Sequence, residues 1–347
     1  EFFKGIKILR KKISNIQYKS SVACLKFPVY FNFWNKFLEE VLQDNDFDVI
    51  HVHDLPLSMV GLNVKEKTGL PVILDLHENW PAMLENAEHT NTFLGKLLSS
   101  NNQWRRYEKR MTNRVDRIIT VVEEMKERIT NLGNEPDKII VVSNTANLPQ
   151  LNLEHSLKPD SNYKTLIYAG GLTYHRGLQI IIHGLKRVKE TIPNIRFWIV
   201  GDGRYKEKLK ELSRETGVED VVDFMGFQPF AKMFELVQLA DAALIPHLKS
   251  EQNDNSSPNK IYQYMYASKP VISSDCNSLK RLLIETGAGI SYKNDDFEDF
   301  AKKTAGLLSD KELIKHMGIN GHNAVINKYN WDINKLNLLN MYRKLNN

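Results

Sequence analysis

The chain has 347 residues, 42% of them hydrophobic and 26% charged, which describes an ordinary globular protein too long for one typical core. Its net charge of +5 is local: Lys4, Lys7, Arg10, Lys11, Lys12 and Lys19 against Glu1 account for it, and the remainder is near neutral. That distribution excludes a general nucleic-acid binder. Cys24 and Cys276 are far apart and lack metal-ligand spacing, so reduced core thiols in a cytoplasmic protein are expected. No apolar run reaches the about 18 residues of a membrane span, and no signal peptide is visible.

The chain opens without Met and reads as starting inside a domain, so a truncated N-terminus is expected. Its basic stretch leads into Phe27, Tyr30, Phe31, Phe33 and Trp34. Two readings stay open: an anionic membrane surface as partner, giving peripheral attachment, or a solvated stretch before a core helix. Helical spacing over 34–43 is followed by a strand at 48–53, a helix at 56–68 and a strand at 71–77. A helix at about 93–112, a strand at 117–122, a helix at 123–132 and a strand at 138–142 continue the alternation. The rhythm breaks at 147–163, where Pro149, Pro159, Asp160, Ser161 and Asn162 mark a linker expected to act as a hinge.

Strands are then predicted at 164–169, 196–200, 221–224, 242–245, 270–273 and 289–292. Helices at about 177–190, 204–215, 230–239, 258–267, 278–285 and 296–307 lie between and after them. Residues 310–347 are helical and end in the run 331–345. No internal repeat or low-complexity segment stands out. Strands alternating with helices indicate parallel βαβ units, and hence an α/β protein of two Rossmann-like domains, 1–150 and 151–329.

Ligands of such sheets bind beyond the carboxyl ends of the strands. The strand 164–169 runs into Gly170-Gly171-Leu172-Thr173-Tyr174-His175-Arg176-Gly177. Glycines let backbone amides approach an anion, and an arginine forks onto phosphate, although such a turn is also a common structural device. Gly201-Asp202-Gly203 follows the next strand and is weaker alone. Ser257-Pro258-Asn259-Lys260 starts a helix and places Lys260 at its positive end, where an anionic partner is expected.

Gly170 to Gly177, Val200-Gly201-Asp202-Gly203, Pro258-Asn259-Lys260-Ile261-Tyr262-Gln263-Tyr264-Met265 and Lys269-Pro270-Val271-Ile272 together resemble glycosyltransferase family 4. The likeness runs over about 45–345 and includes Asp48 to Asp54 and Leu74-Asp75-Leu76-His77-Glu78-Asn79-Trp80-Pro81. It implies a GT-B fold, with two Rossmann-like domains facing a cleft and the helix at 330–347 crossing back to the first domain. It also implies retaining transfer from a UDP- or GDP-linked sugar, with neither metal nor other cofactor, in synthesis of a bacterial surface polysaccharide or glycolipid. The acceptor would be a glycan or lipid-linked molecule.

In that likeness Arg176 and Lys260 hold the diphosphate against Gly170 and Gly171, with Gly201, Asp202, Gly203, Asn259 and Gln263 completing the donor site. His77 matches the family's histidine near the reacting sugar; Asp75 and Glu78 orient it or touch the acceptor, and His53 and Asp54 are weaker acceptor-side candidates. Two positions depart from the pattern, since the family's paired glutamates fall on Asn255 and Gln263. A neutral amide still hydrogen-bonds a ribose hydroxyl. These departures suggest a catalytically silent sugar-nucleotide-binding subunit as an alternative, with a sugar-nucleotide 2-epimerase behind it.

Overall fold

The computed structural model describes residues 1–85, 98–148, 160 and 162–345. They form two compact units, one of Glu1–Val121 with Met125–Val141, the other from Val142 onward with Val122–Glu124. Most of the expected linker, including Pro149, Pro159 and Ser161, lies outside the described residues, as does the start of the helix expected at 93–112.

The first unit opens with a two-stranded antiparallel ladder, β1 (Phe2–Phe3) and β2 (Ile6–Lys7), then a short helix Asn15–Lys19. Neither was visible in the sequence pattern, because both lie on the surface and bury no periodic face. The helix expected at 34–43 spans Val29–Gln43, so Tyr30, Phe31, Phe33 and Trp34 belong to it, with Phe31 buried. Then come β3 (Ile50–His53), β4 (Val72–Leu76), β5 (Arg117–Thr120) and β6 (Ile139–Val141), a parallel sheet in the order β3-β4-β5-β6. Every residue of β4 is buried, as expected where a parallel sheet is covered on both faces. Helix Ser58–Thr68 ends at Gly69, whose φ of +77° supplies the left-handed cap. Helix Asn101–Arg114 starts on a Ser100/Gln103 capping box and buries Glu108 against a two-pronged bond from Arg128, at 2.6 and 2.8 Å.

The second unit holds six parallel strands: β7 (Lys164–Ala169), β8 (Ile195–Val200), β9 (Val222–Gly226), β10 (Ala242–Ile245), β11 (Val271–Ser274) and β12 (Gly289–Tyr292). Their spatial order is β12-β11-β10-β7-β8-β9. The direction of winding therefore reverses between β7 and β10, the switch point at which doubly wound sheets open a crevice. Alternation along β7 sends Leu166 and Tyr168 into one core and Ile167 and Ala169 into the other. Helix Leu178–Thr191 comes close to helix Phe297–Ser309 because a Cβ on Gly184 would strike the Phe300 ring at 2.6 Å.

The C-terminal region is two helices, Lys311–Asn327 and Trp331–Arg343, parted where Asn330 caps the second. Trp331 N–H donates to the Ala146 carbonyl at 2.9 Å, tying the start of the last helix to the segment after β6. No helix among the described residues is long and apolar enough to cross a membrane.

Candidate functional site

The strand ends of the second unit carry the phosphate-like features. Gly170 and Gly171 follow β7, and the loop Pro246–Leu248 follows β10, its neighbour across the switch point. The two loops are joined. Leu248 N–H donates to the His175 carbonyl at 3.0 Å, and Gly177, at φ +70°, lies so close to the Pro246 carbonyl that a Cβ would overlap it. Arg176 Nη1 bonds His247 Nε2 at 2.9 Å across the same join.

The glycines of this site have distinct roles. Gly170 takes φ +151°, and a Cβ there would overlap Lys260 Nζ; Gly201 takes φ +139° and lies against the Gly170 carbonyl. Gly203 lies on the Leu172 carbonyl. Gly171 alone among the expected donor-site glycines has open space where a Cβ would project. Its carbonyl is fixed by the Tyr168 hydroxyl at 2.9 Å, and the Ala169 N–H donates to the buried Tyr264 hydroxyl at 2.9 Å. A short backbone stretch is thus held rigid with one side uncovered, a geometry suited to close approach of a ligand.

Lys260, the first residue of helix Lys260–Tyr266, places Nζ 4.1 Å from the centroid of the Tyr168 ring. Loss of water, and then the charge of Arg176, hold its ammonium well below the usual lysine range. Burial, then Lys260 and Arg176, push His247 well below the usual histidine range. Among the described residues neither Arg176 nor Lys260 pairs with a carboxylate. The crevice thus gathers three basic groups and no compensating acid.

The other expected donor residues are placed as follows. Asp202 is exposed, accepts from Gly203 N–H at 2.8 Å, and lies 3.5 Å from Lys206. Asn259 is exposed and forms the helix N-cap without a side-chain cap bond, so the cap expected from sequence is not made by that amide. Gln263 is half-buried beside the buried Tyr262 and Tyr264. Asn255 ends the short helix Glu251–Asp254, and its amide donates to the Glu251 carbonyl at 2.7 Å. Its side chain is committed to that turn.

The first unit assembles a different cluster. The register of β3 on β4 sets His53 opposite Asp75, and His51 shares the face of His53. Asp75 Oδ2 lies 3.1 Å from His77 Nε2, 3.2 Å from His51 Nε2 and 3.5 Å from His53 Nδ1. Burial works against the Asp75 charge, but hydrogen bonds from His51 and His77 outweigh it and bring its pKa to about 2. The Asp75 hydrogen bond raises His77 above the usual histidine range against the opposing effect of burial. His53 is lowered, first by burial and then by His51. Asp54 turns the chain at φ +64°, its N–H donating to the Asp75 carbonyl at 2.8 Å. Glu78 is exposed beside the buried Asn79.

His51, His53 and Asp75 offer donor atoms within 4.8 Å of one another, a spacing a divalent cation could use. The same spacing serves a carboxylate that orients imidazoles, and the hydrogen bonds of Asp75 to His51 and His77 already use it that way.

Residues 150–324 match the family described as glycosyl transferases group 1, and residues 13–149 match the glycosyltransferase family 4 domain. The chain belongs to the group 1 glycosyl transferases. A glycosyltransferase of Methanocaldococcus jannaschii is 25% identical over 341 residues, covering 90% of this chain and 81% of its own. The phosphatidyl-myo-inositol mannosyltransferase of Mycolicibacterium smegmatis is 24% identical, covering 94% and 78%. The structure of Anabaena HepE in complex with UDP superposes with a TM-score of 0.70 at 15% identity, over 91% of this chain and 82% of that one. The glycosyltransferase therefore has the GT-B fold with its two Rossmann-like domains. As an enzyme it transfers sugars.

Two contributors, His247 and Tyr168, were not singled out in the sequence, and Tyr264 and His51 were read only as parts of longer segments without a role of their own. His247 follows the strand that neighbours β7 at the switch point, a placement that strand order alone reveals and the sequence does not. His51 shares a strand face with His53, which period-two spacing alone indicates.

Proposed function

We propose that this glycosyltransferase takes a sugar from a UDP- or GDP-linked donor and passes it, with retention, to a glycan or lipid-linked acceptor of a bacterial surface polysaccharide or glycolipid. The observation that carries this reading is the uncompensated group of Arg176, His247 and Lys260 around the open backbone of Gly171. Three buried or half-buried basic groups without a carboxylate favour an anion, which would restore their charge, and a diphosphate is one such anion. Arg176 and Lys260 then neutralise the leaving diphosphate as its charge develops, a task that needs no metal ion. Gln263 offers its amide to a ribose hydroxyl. His77, aimed by Asp75, serves the reacting sugar, and Glu78, His53 and Asp54 serve the acceptor.

Release of UDP or GDP from nucleotide sugars on addition of lipid-linked acceptors tests the proposal. A protein that releases neither, from any nucleotide sugar that binds it, would refute the transfer. Conversion of the free donor without acceptor would instead indicate epimerisation.

The N-terminal segment supports a peripheral contact with anionic lipid. Phe2, Phe3, Ile6, Leu9, Ile16 and Tyr18 are exposed among its basic residues, although Lys11 pairs with Glu40 and Lys7 with Asn45. Sedimentation with phosphatidylserine vesicles is expected at low salt and reduced at high salt. Equal recovery with neutral vesicles would dismiss the charge contribution.

A further inference from the structure

We infer that His247 is a positioning residue of the donor site that holds Arg176 through Nε2 and takes up a proton there when a nucleoside diphosphate binds. The inference rests on the diphosphate reading of this site and adds a role for a residue that reading did not need.

The argument begins with hydrogen-bond chemistry. A guanidinium has only donors, so the 2.9 Å contact from Arg176 Nη1 requires His247 Nε2 to be an acceptor. The ring is therefore neutral, with its proton on Nδ1. A second proton on Nε2 would set donor against donor and break the bond that aims Arg176. This bond therefore excludes the imidazolium by geometry.

The surroundings agree. His247 is 3% exposed. Arg176 faces it from the turn after β7, and Lys260 acts on it from the start of its helix. From the end of β11, Ser274 Oγ donates to the His247 carbonyl at 2.5 Å and Cys276 Sγ lies 3.5 Å from it. Cys276 is pushed up to about 11 by burial, and Tyr168 beneath Lys260 to about 12, so neither carries a negative charge near neutrality. Everything charged that acts on the ring is positive.

A diphosphate entering beside Arg176 reverses both conditions. It offers oxygens that accept from the guanidinium, which frees Nε2, and it supplies the negative charge whose lack kept the ring neutral. Nε2–H then becomes a third donor to the phosphates. The proton comes from solvent, so binding strengthens as pH falls.

UDP-glucose and GDP-mannose are suitable probes, because their diphosphates are diesters that do not titrate near neutrality. Nitrogen-15 histidine spectra at pH 7 should show one Nε2 resonance pass from unprotonated to imidazolium on saturation, with His247→Gln identifying it. Calorimetry in buffers of different ionisation enthalpy should count net proton uptake. Affinity should rise by roughly tenfold to fiftyfold from pH 8 to pH 6, and by much less in His247→Gln, whose amide oxygen accepts from Arg176 but takes no proton. If the wild type binds a probe, Arg176→Ala weakens that binding, and yet Nε2 stays unprotonated with no proton uptake, the inference is overturned while the diphosphate reading stands. If neither probe binds, or Arg176→Ala binds as the wild type does, the diphosphate reading falls and this inference with it.

Discussion

The carboxyl ends of the two sheets handle charge in opposite ways. In the first unit one buried carboxylate, Asp75, faces three imidazoles within 3.5 Å, so the cluster is balanced from within. In the second unit Arg176, His247 and Lys260 meet without an acid among the described residues, so the cluster is not balanced from within. A balanced cluster fixes the direction and protonation of a group that acts. An unbalanced one favours a ligand of opposite charge, because burying unpaired charge is costly.

The sharpest way to break this contrast is to remove the acting group on the balanced side. His77→Ala is expected to lower turnover by about 100-fold or more while donor affinity changes little, since it removes a group used in reaction rather than in grip. A fall in melting temperature with turnover per folded molecule intact would reassign His77 to structure. On the unbalanced side the effect should appear in binding. Arg176→Ala and Lys260→Ala are each expected to weaken donor binding by about 1–3 kcal/mol, or roughly 5- to 150-fold, by titration calorimetry. Unchanged affinity in both would end the phosphate assignment.

The balanced cluster also predicts a dependence on acid. The folded pKa of Asp75, about 2, lies below the ordinary carboxylate value. Its contribution is thus fully present above about pH 4 and is lost as pH falls toward 2, amounting to roughly 2 kcal/mol. Denaturant unfolding of wild type and Asp75→Asn should converge over that window; a constant gap between them would contradict it. His77 shifts upward, so its share has the opposite sign: present below the usual histidine range and lost as pH rises through the folded value. The smallest expected effect is at Gly171. A methyl there meets nothing within 4 Å, so Gly171→Ala should keep its melting temperature and lose donor affinity by a few-fold. A loss of stability instead would mean that the open side is not open.

Much of this was legible beforehand, and the physical reasons are specific. The strands at 164–169, 242–245 and 289–292 were placed to the residue because they stop at Gly170, Pro246 and Lys293 respectively. The strand expected at 48–53 begins only at Ile50, since Asp48 and Val49 precede the ladder that pairs Ile50 with Val72. The pair of helices after 310 was read as one region, because the Asn330 cap hides among residues that helices tolerate. Arg176 and Lys260 were singled out from glycines and a helix start, and the structure brings both to the crevice beside Gly170. What could not be read was that His247 would lie beside them, 71 residues from Arg176 in sequence, or that Asp75 would gather His51 as well as His77. Those meetings depend on strand order and register, and no local pattern encodes them.

Tyr168 has a consequence of its own. Its ring is fully buried in the core, its hydroxyl holds the Gly171 carbonyl, and its face lies under Lys260. Ala169 N–H, bonded to Tyr264, and Gly170 N–H, bonded to the Val200 carbonyl, anchor the same turn. The turn proposed to grip phosphate is thus continuous with the buried core of its unit. Amide hydrogen exchange at Ala169 and Gly170 should therefore proceed at the slow rate of the central strands, opening only when the whole unit does, unlike the binding loops of proteins that close over their ligands.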